Sequence, residues 1–223
     1  MLGNFETVLL DMNDTFMFGH DRFGAEESYG ATYKKLGGAL SEQEARKIVQ
    51  AVFDYLEPLY PDLAYRECFP SLSAALDMVV PEAISGEERR RLIATFAHHE
   101  LGTIPLEYAE ALRELGSRFR LGLVADIWAP SEQWLSEFER AGVLDAFEAL
   151  SFSSDDGVVK PSGKSFIKVL AAMDADPATA VMIGDSVRRD LGGAVAAELP
   201  CILVGGKTDP AAYGAAPSLL NLL

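Results

Sequence analysis

One strand-like run, residues 5–10, stands apart from four more that begin only at residue 120, and the stretch between them is patterned for helices. No other feature limits the choice of fold as much. The first run is β-branched and aliphatic and stops at the polar cluster Asp11-Met12-Asn13-Asp14-Thr15, which reads as a buried strand ending in a functional loop. From about Phe16 to Thr103 the period changes. Tyr29, Tyr33 and Leu36 share one helix face, and Gly37-Gly38 ends that helix. Ser41-Glu42-Gln43-Glu44 is a capping-box sequence ahead of Ile48, Val52, Phe53 and Leu56. Ser71 opens a third helix through Leu72, Ala75, Leu76 and Val79. Ser85-Gly86-Glu87-Glu88 is a second capping box, leading to Leu92, Ile93 and Phe96.

After Pro105 strands and helices alternate. A helix through Leu112 and Leu115 is expected to stop at Gly116. Strands follow at 120–124, 150–152, 180–183 and 201–204, with helices carrying Trp134 and Phe138, then Phe166 and Leu170, between them. Such alternation implies a parallel sheet with helices on both faces, and ligands gather at the carboxyl ends of its strands. The polar clusters fall at those ends, after Leu10, Val124, Phe152 and Ile183. The fold expected is therefore α/β: a Rossmann-like, doubly wound parallel-sheet core formed by residues 1–16 and 105–223, with an all-helical cap, 17–104, inserted after the first strand.

Charge narrows the partners. With 34 acidic against 19 basic side chains the formal net charge is −15, the opposite of what phosphate-backbone binding requires and unfavourable at an anionic membrane. A phosphorylated small molecule remains compatible if a metal ion, a helix N-terminus or a lysine supplies local positive charge. Cys68 and Cys201 lie far apart and make no disulfide framework. The first residues lack a basic stretch, and no apolar run approaches bilayer length, so a soluble cytoplasmic protein is expected. Oligomeric state is not legible.

Three carboxylates carry the chemistry. Asp11 and Asp185 end two strands, and Asp190 opens the helix after the second. Converging there, they would form a hard oxygen site suited to Mg²⁺. Lys160, in Val-Val-Lys-Pro-Ser-Gly-Lys-Ser, can neutralise both a carboxylate and a phosphoryl group. The ordered set Val-Leu-Leu-Asp-Met-Asn-Asp-Thr-Phe, Leu-Gly-Leu-Val-Ala-Asp, Val-Lys-Pro and Ile-Gly-Asp-Ser-Val-Arg-Arg-Asp closely resembles the four motifs of the haloacid dehalogenase-like superfamily. The resemblance implies that Asp11 is a nucleophile forming an aspartyl-phosphate. Asp185, with Asp11 and the backbone carbonyl of Asn13, would bind Mg²⁺, and Asp190 would support the metal site. Lys160 would hold Asp11 and the phosphoryl oxygens, while Thr15 orients the first loop. The substrate implied is a small phosphorylated metabolite, because a closing cap excludes macromolecules.

Two departures from the pattern bear on turnover. Phosphatases of this kind usually carry an Asp two residues after the nucleophile, as acid for the leaving alkoxide; here it is Asn13, whose amide delivers no proton. General acid catalysis contributes about 10²–10⁴-fold. The second motif usually ends in Ser or Thr, whose hydroxyl holds the phosphoryl group; Ala125 has none, although the backbone N–H of Asp126 remains. Asp14 is the neighbouring candidate for a replacement acid. The alternative is a decayed member that binds metal or phosphate without an enzymatic role. A dehalogenase would not need the acid but does not usually retain such an acidic metal site, and a phosphonate-cleaving member would want a cap lysine, for which only Lys34, Lys35 and Lys47 are available. His98 and His99 read as cations suiting a helix C-terminus, Trp128 and Trp134 as packing with Trp128 near the cleft, and Gly205-Gly206 as a turn.

Overall fold

The computed structural model describes residues 1–80 and 84–223; residues 81–83, inside the expected cap, lie outside the described residues. In chain order the elements are β1 (Thr7–Leu10), α1 (Tyr29–Lys35), α2 (Glu42–Leu56), α3 (Leu72–Val79), α4 (Gly86–Glu100), α5 (Leu106–Arg118), β2 (Arg120–Ala125), α6 (Glu132–Ala141), β3 (Phe147–Phe152), α7 (Ser153–Asp156), α8 (Lys164–Ala172), β4 (Ala180–Gly184), α9 (Gly192–Ala196), β5 (Cys201–Leu203) and β6 (Gly214–Ala215). The strands form one sheet in the order β3-β2-β1-β4-β5-β6, every pairing parallel. β1 and β4, at its centre, are buried at every residue. That is why they read as unbroken apolar runs rather than as alternating ones.

The two faces of the sheet hold separate apolar clusters. Leu10, Leu123 and Ile183 point to the side covered by Leu112, Leu115, Trp134 and Phe138 of α5 and α6. Leu9, Val124 and Met182 point to the side covered by Phe166, Val169 and Leu170 of α8 and Ala194 of α9. Helices thus cover both faces, as the alternation implied. β6 was not expected from the sequence: two residues are too short for any periodicity to register. The edge strand β3 begins three residues earlier than expected, at Phe147.

α1 to α4 form the excursion between β1 and α5. Ser41 caps α2 as expected, accepting from Glu44 N–H while Glu44 returns a bond to Ser41 N–H. The second capping box forms only half. Ser85 accepts from Glu88 N–H, but the Glu88 carboxylate turns to Ala39 N–H at 3.1 Å and to Arg91, tying the α1–α2 turn to α4. The expected stop at Gly116 is also corrected: α5 runs on to Arg118, and Gly116 lies against Ala146 without needing a special backbone conformation. The excursion meets the rest of the chain along two antiparallel linkers. Phe18 and Thr103 exchange backbone bonds, and Asp21 and Arg22 N–H donate to the carbonyls of Glu100 and His99.

Gly122 on β2 lets α8 lie directly on the sheet. A methyl group there would stand 2.5 Å from Val169 Cγ1, 2.8 Å from Leu9 Cδ2 and 2.9 Å from Met173 Sδ. Gly122→Ala is therefore expected to destabilise the fold by about 1–3 kcal/mol through overpacking, read as a lowered urea midpoint with an unchanged slope.

Candidate active site

Adjacent strands bring the acidic residues together. β1 and β4 are paired in register, Leu10 opposite Ile183, and Asp11 N–H continues the ladder by donating to Ile183 O at 2.9 Å. Asp11 is thereby held at the centre of the sheet's carboxyl edge. Asp190 follows β4 on a one-turn π-helix, Val187–Leu191, an irregularity often found at functional sites. The sequence had Asp190 opening a helix; it sits inside this wide turn instead. Its carboxylate folds back on the strand, accepting from Ser186 N–H at 2.9 Å, and only glycine fits beneath it. A Cβ on Gly184 would lie 2.4 Å from Asp190 Cγ. Carboxylate oxygens of Asp11, Asp185 and Asp190 lie within 4.8 Å of one another.

Lys160 enters from the segment after β3, on the far side of β2. Its Nζ donates to Asp11 Oδ1 at 2.5 Å and to Asp190 Oδ1 at 2.7 Å, with the side chain 3% exposed. Burial alone would discharge such a lysine, but Asp11, Asp190 and Asp126 outweigh it and keep the ammonium charged. Burial and the nearby Asp11 push the Asp190 carboxyl up, against the opposing pull of Lys160. Burial likewise raises Asp185, with Asp11 and then Asp14 adding to it. Three carboxylates around one ammonium leave an excess of negative charge in a confined space. Asn13 Oδ1, close by, is buried with no hydrogen-bond partner among the described residues. Together these acceptors have the chemistry to hold a hard divalent cation.

These groups line a cavity of about 270 Å³ between the strand ends and the helical excursion. Asn13, Asp126 and Lys160 border it with the three carboxylates. Thr15 and Ala125 do not. Thr15 is buried behind Asp11 and donates to its Oδ2 at 3.1 Å, and Ala125 is buried at the end of β2. Asp14 has a left-handed backbone (φ 55°), and this turns it to the lining beside His20, whose Nε2 is 4.0 Å from its Oδ2. Neighbouring loop side chains seldom share a direction, and the positive φ is what lets Asp14 do so.

Several lining residues, among them Phe23, Tyr60 and Arg189, went unassigned in the sequence, and others were read mainly as packing. Phe53, assigned to a helix face, and Trp128 form with Tyr60 and Phe23 an aromatic wall; Phe23 stacks on Phe53 at 4.6 Å, and Trp128 lies 5.5 Å from Tyr60. Tyr60 O–H donates to Asp126 at 2.8 Å, and Asp126 also accepts from Lys160 N–H at 3.1 Å. Arg189 lies over the Tyr60 ring at 5.0 Å. Trp134, by contrast, is core. Lys34, Lys35 and Lys47 are not among the lining residues, which removes the expected footing for a phosphonate-cleaving chemistry.

His98 and His99 do lie in the last turn of α4. Burial depresses His98, and burial with His98 depresses the enclosed His99, against the pull of the Glu27 carboxylate 3.2 Å from its Nδ1. The informative residue in that turn is Glu100. As a carboxylate at a helix C-terminus it opposes the dipole, and that mismatch was a legible signal. It accepts from Trp128 N–H at 2.5 Å and Ala129 N–H at 2.9 Å, fastening the end of α4 to the loop after β2.

A sequence profile of the haloacid dehalogenase-like hydrolase family matches residues 5–198. The chain belongs to that family. It is 41% identical over 83 residues to a glyceraldehyde 3-phosphate phosphatase of Pyrococcus abyssi, covering 37% of this chain and 33% of that one. It is 35% identical over 69 residues to a ribulose-1,5-bisphosphate 5-phosphatase of Halopiger xanaduensis, covering 31% and 29%. The chain thus spans about a third of the length of these relatives. Among solved structures, a phosphatase of the same family from Thermococcus onnurineus superposes with a TM-score of 0.64 at 20% identity, over 97% of this chain and 95% of that one. A 2-haloacid dehalogenase from Pseudomonas syringae gives 0.62 at 22%, over 98% and 96%. Both likenesses are likenesses of fold.

Burial, reinforced by Asp21, pushes the Glu100 carboxyl from 4.5 up to about 8. A carboxyl raised on folding takes up protons, so its contribution is complete below pH 4.5 and is lost as pH rises through about 8. Glu100→Gln should flatten the decline of stability across that window, measured as urea midpoints against pH. A variant profile parallel to the wild type would contradict this.

Proposed function

We propose that this chain is a Mg²⁺-dependent phosphoric monoester hydrolase of the cytoplasm, acting on a small phosphorylated metabolite through an aspartyl-phosphate at Asp11. The observation that carries the reading is Lys160 Nζ held between Asp11 and Asp190, with Asp185 alongside, in a cavity of metabolite size. The relatives named for glyceraldehyde 3-phosphate and ribulose 1,5-bisphosphate support a small phosphorylated substrate. The net charge of −15 speaks against nucleic acid, and no helix among the described residues is long and apolar enough to cross a membrane. Residues 1–16 and 105–223 would act as the core and 17–104 as a cap over the site.

In this mechanism an Asp11 oxygen bonds to phosphorus as the bond from phosphorus to the leaving oxygen breaks. Water then attacks the same phosphorus, returning the Asp11 carboxylate and inorganic phosphate. Lys160 orients Asp11 and faces the phosphoryl oxygens, and Thr15 holds the second Asp11 oxygen. Asp11, Asp185 and the backbone carbonyl of Asn13 would hold Mg²⁺, with Asp190 in support. When bound there, the cation offsets repulsion between the anionic nucleophile and the anionic substrate. The Asp126 N–H is the backbone donor left at a motif whose hydroxyl is lost at Ala125. Asn13 gives a departing alkoxide no proton.

A second reading, a decayed member that binds metal or phosphate without turnover, draws on Asn13 and Ala125 alone. The intact ionic set argues against it, since buried charge without a use is costly to keep. Turnover of p-nitrophenyl phosphate by wild type, absent in Asp11→Asn, supports the hydrolase; no turnover by either supports the decayed member.

Two further outcomes are expected. Calorimetric titration should detect Mg²⁺ binding by the wild type and none by Asp185→Ala. Unchanged affinity in the variant would remove Asp185 from the metal site. Aryl and acyl phosphates should be cleaved far faster than sugar phosphates, and Asn13→Asp should raise kcat/KM on alkyl phosphates by roughly 10²-fold or more. A flat dependence on leaving-group pKa would instead mean that another residue donates the proton. Loss of that flatness in Asp14→Asn would identify it.

A further inference from the structure

Lys160 and Arg189 are the two side chains of fixed positive charge among the described residues that line the cavity. Lys160 is committed, since its ammonium already serves Asp11 and Asp190. Arg189 is not. Among the described residues no hydrogen bond or ion pair engages its guanidinium, which rests only over the Tyr60 ring at 5.0 Å. A half-buried guanidinium has five N–H donors and no acceptor of its own, so with no protein partner those donors are free to take an anion. Its planar fork matches two oxygens of a phosphate.

The position of the fork agrees with that chemistry. Lys160 and Arg189 border the cavity of about 270 Å³ and also a second space of about 230 Å³ beside Tyr60 and Ser186, so the two cations flank one region. β1, which carries Asp11, lies between β2 and β4 in the sheet. On the β2 side the usual phosphoryl contact is missing, because Ala125 has no hydroxyl and is closed off from the cavity. Arg189 follows β4, and its guanidinium reaches over Tyr60, whose hydroxyl donates to Asp126 just past Ala125. An uncommitted donor thus lies near the motif whose hydroxyl is lost.

We propose that Arg189 is a phosphoryl-binding residue, donating through its guanidinium fork to the non-bridging oxygens of the bound phosphate and replacing the hydroxyl that Ala125 lacks. This rests on the hydrolase reading of the site, but its first test does not need turnover. Inorganic phosphate, in the presence of Mg²⁺, is titrated into wild type, Arg189→Gln and Arg189→Lys by calorimetry, with Mg²⁺ affinity and circular dichroism checked for each. Phosphate should bind at least about 10-fold more weakly to Arg189→Gln. The loss should be smaller in Arg189→Lys, which keeps the charge and the packing stem but not the fork. In turnover of p-nitrophenyl phosphate, kcat/KM should fall about 10²-fold in Arg189→Gln.

Unchanged phosphate affinity in both folded variants overturns the proposal, as does a wild type that binds no phosphate. A defect confined to ribulose 1,5-bisphosphate, with inorganic phosphate binding unaltered, also overturns it and assigns Arg189 to a remote anion of the substrate. A wild type that binds phosphate and cleaves no ester defeats the hydrolase reading alone. Arg189 is then judged by the titration.

Discussion

An ammonium group closed off from water and held by two carboxylates is what the carboxyl edge of this sheet is organised around. Lys160 bridges Asp11, at the end of β1, and Asp190, beyond β4. Without it two buried carboxylates would face each other with nothing but water to separate them. Taking the three charges out of solvent costs several kcal/mol per ion, and the attraction repays that only where geometry is good and the remaining lone pairs are met. Here they are met: Thr15 serves the second Asp11 oxygen and Ser186 N–H the second Asp190 oxygen. The missing side chain of Gly184 leaves room for the arrangement. Lys160 also joins segments that lie far apart in the chain, so the ion pair fixes the segment after β3 against the centre of the sheet.

The same cluster does not depend on the two unusual residues. Neither the Asn13 nor the Ala125 side chain makes a hydrogen bond or ion pair to the charged groups, which hold one another with Thr15 and the Ser186 N–H. Around this cluster the cavity changes character toward Phe23, Phe53 and Trp128, whose flat apolar faces suit the carbon skeleton of a small ligand.

Much of this was legible because the relevant residues sit at ends of buried strands. Leu10, Val124 and Ile183 announce where strands stop, and a carboxylate just past such a point has few places to go except the sheet's edge. The four motifs then put Asp11, Lys160, Asp185 and Asp190 together. What the sequence did not carry depends on contacts between distant segments. Nothing local marks Tyr60 as the partner of Asp126. Glu88 follows a capping rule on paper and obeys a tertiary contact to Ala39 instead, because an orphaned N–H nearby competes for the same carboxylate. Phe53 sits on the apolar stripe of α2, yet that stripe faces both core and cavity. The two-residue β6 and the π-turn at Asp190 break no pattern long enough to be read.

The helical excursion is sewn to the core by backbone bonds just ahead of the lysine. Phe69 N–H donates to Gly157 O at 2.8 Å and Val159 N–H to Arg66 O at 2.9 Å, the second of them one residue before Lys160. Tyr60 reaches the same place through Asp126, which accepts from Lys160 N–H. Moving the excursion away from the strand ends would break these bonds and release the segment that seats the ammonium, so the ion pair and the seating of the excursion stand or fall together.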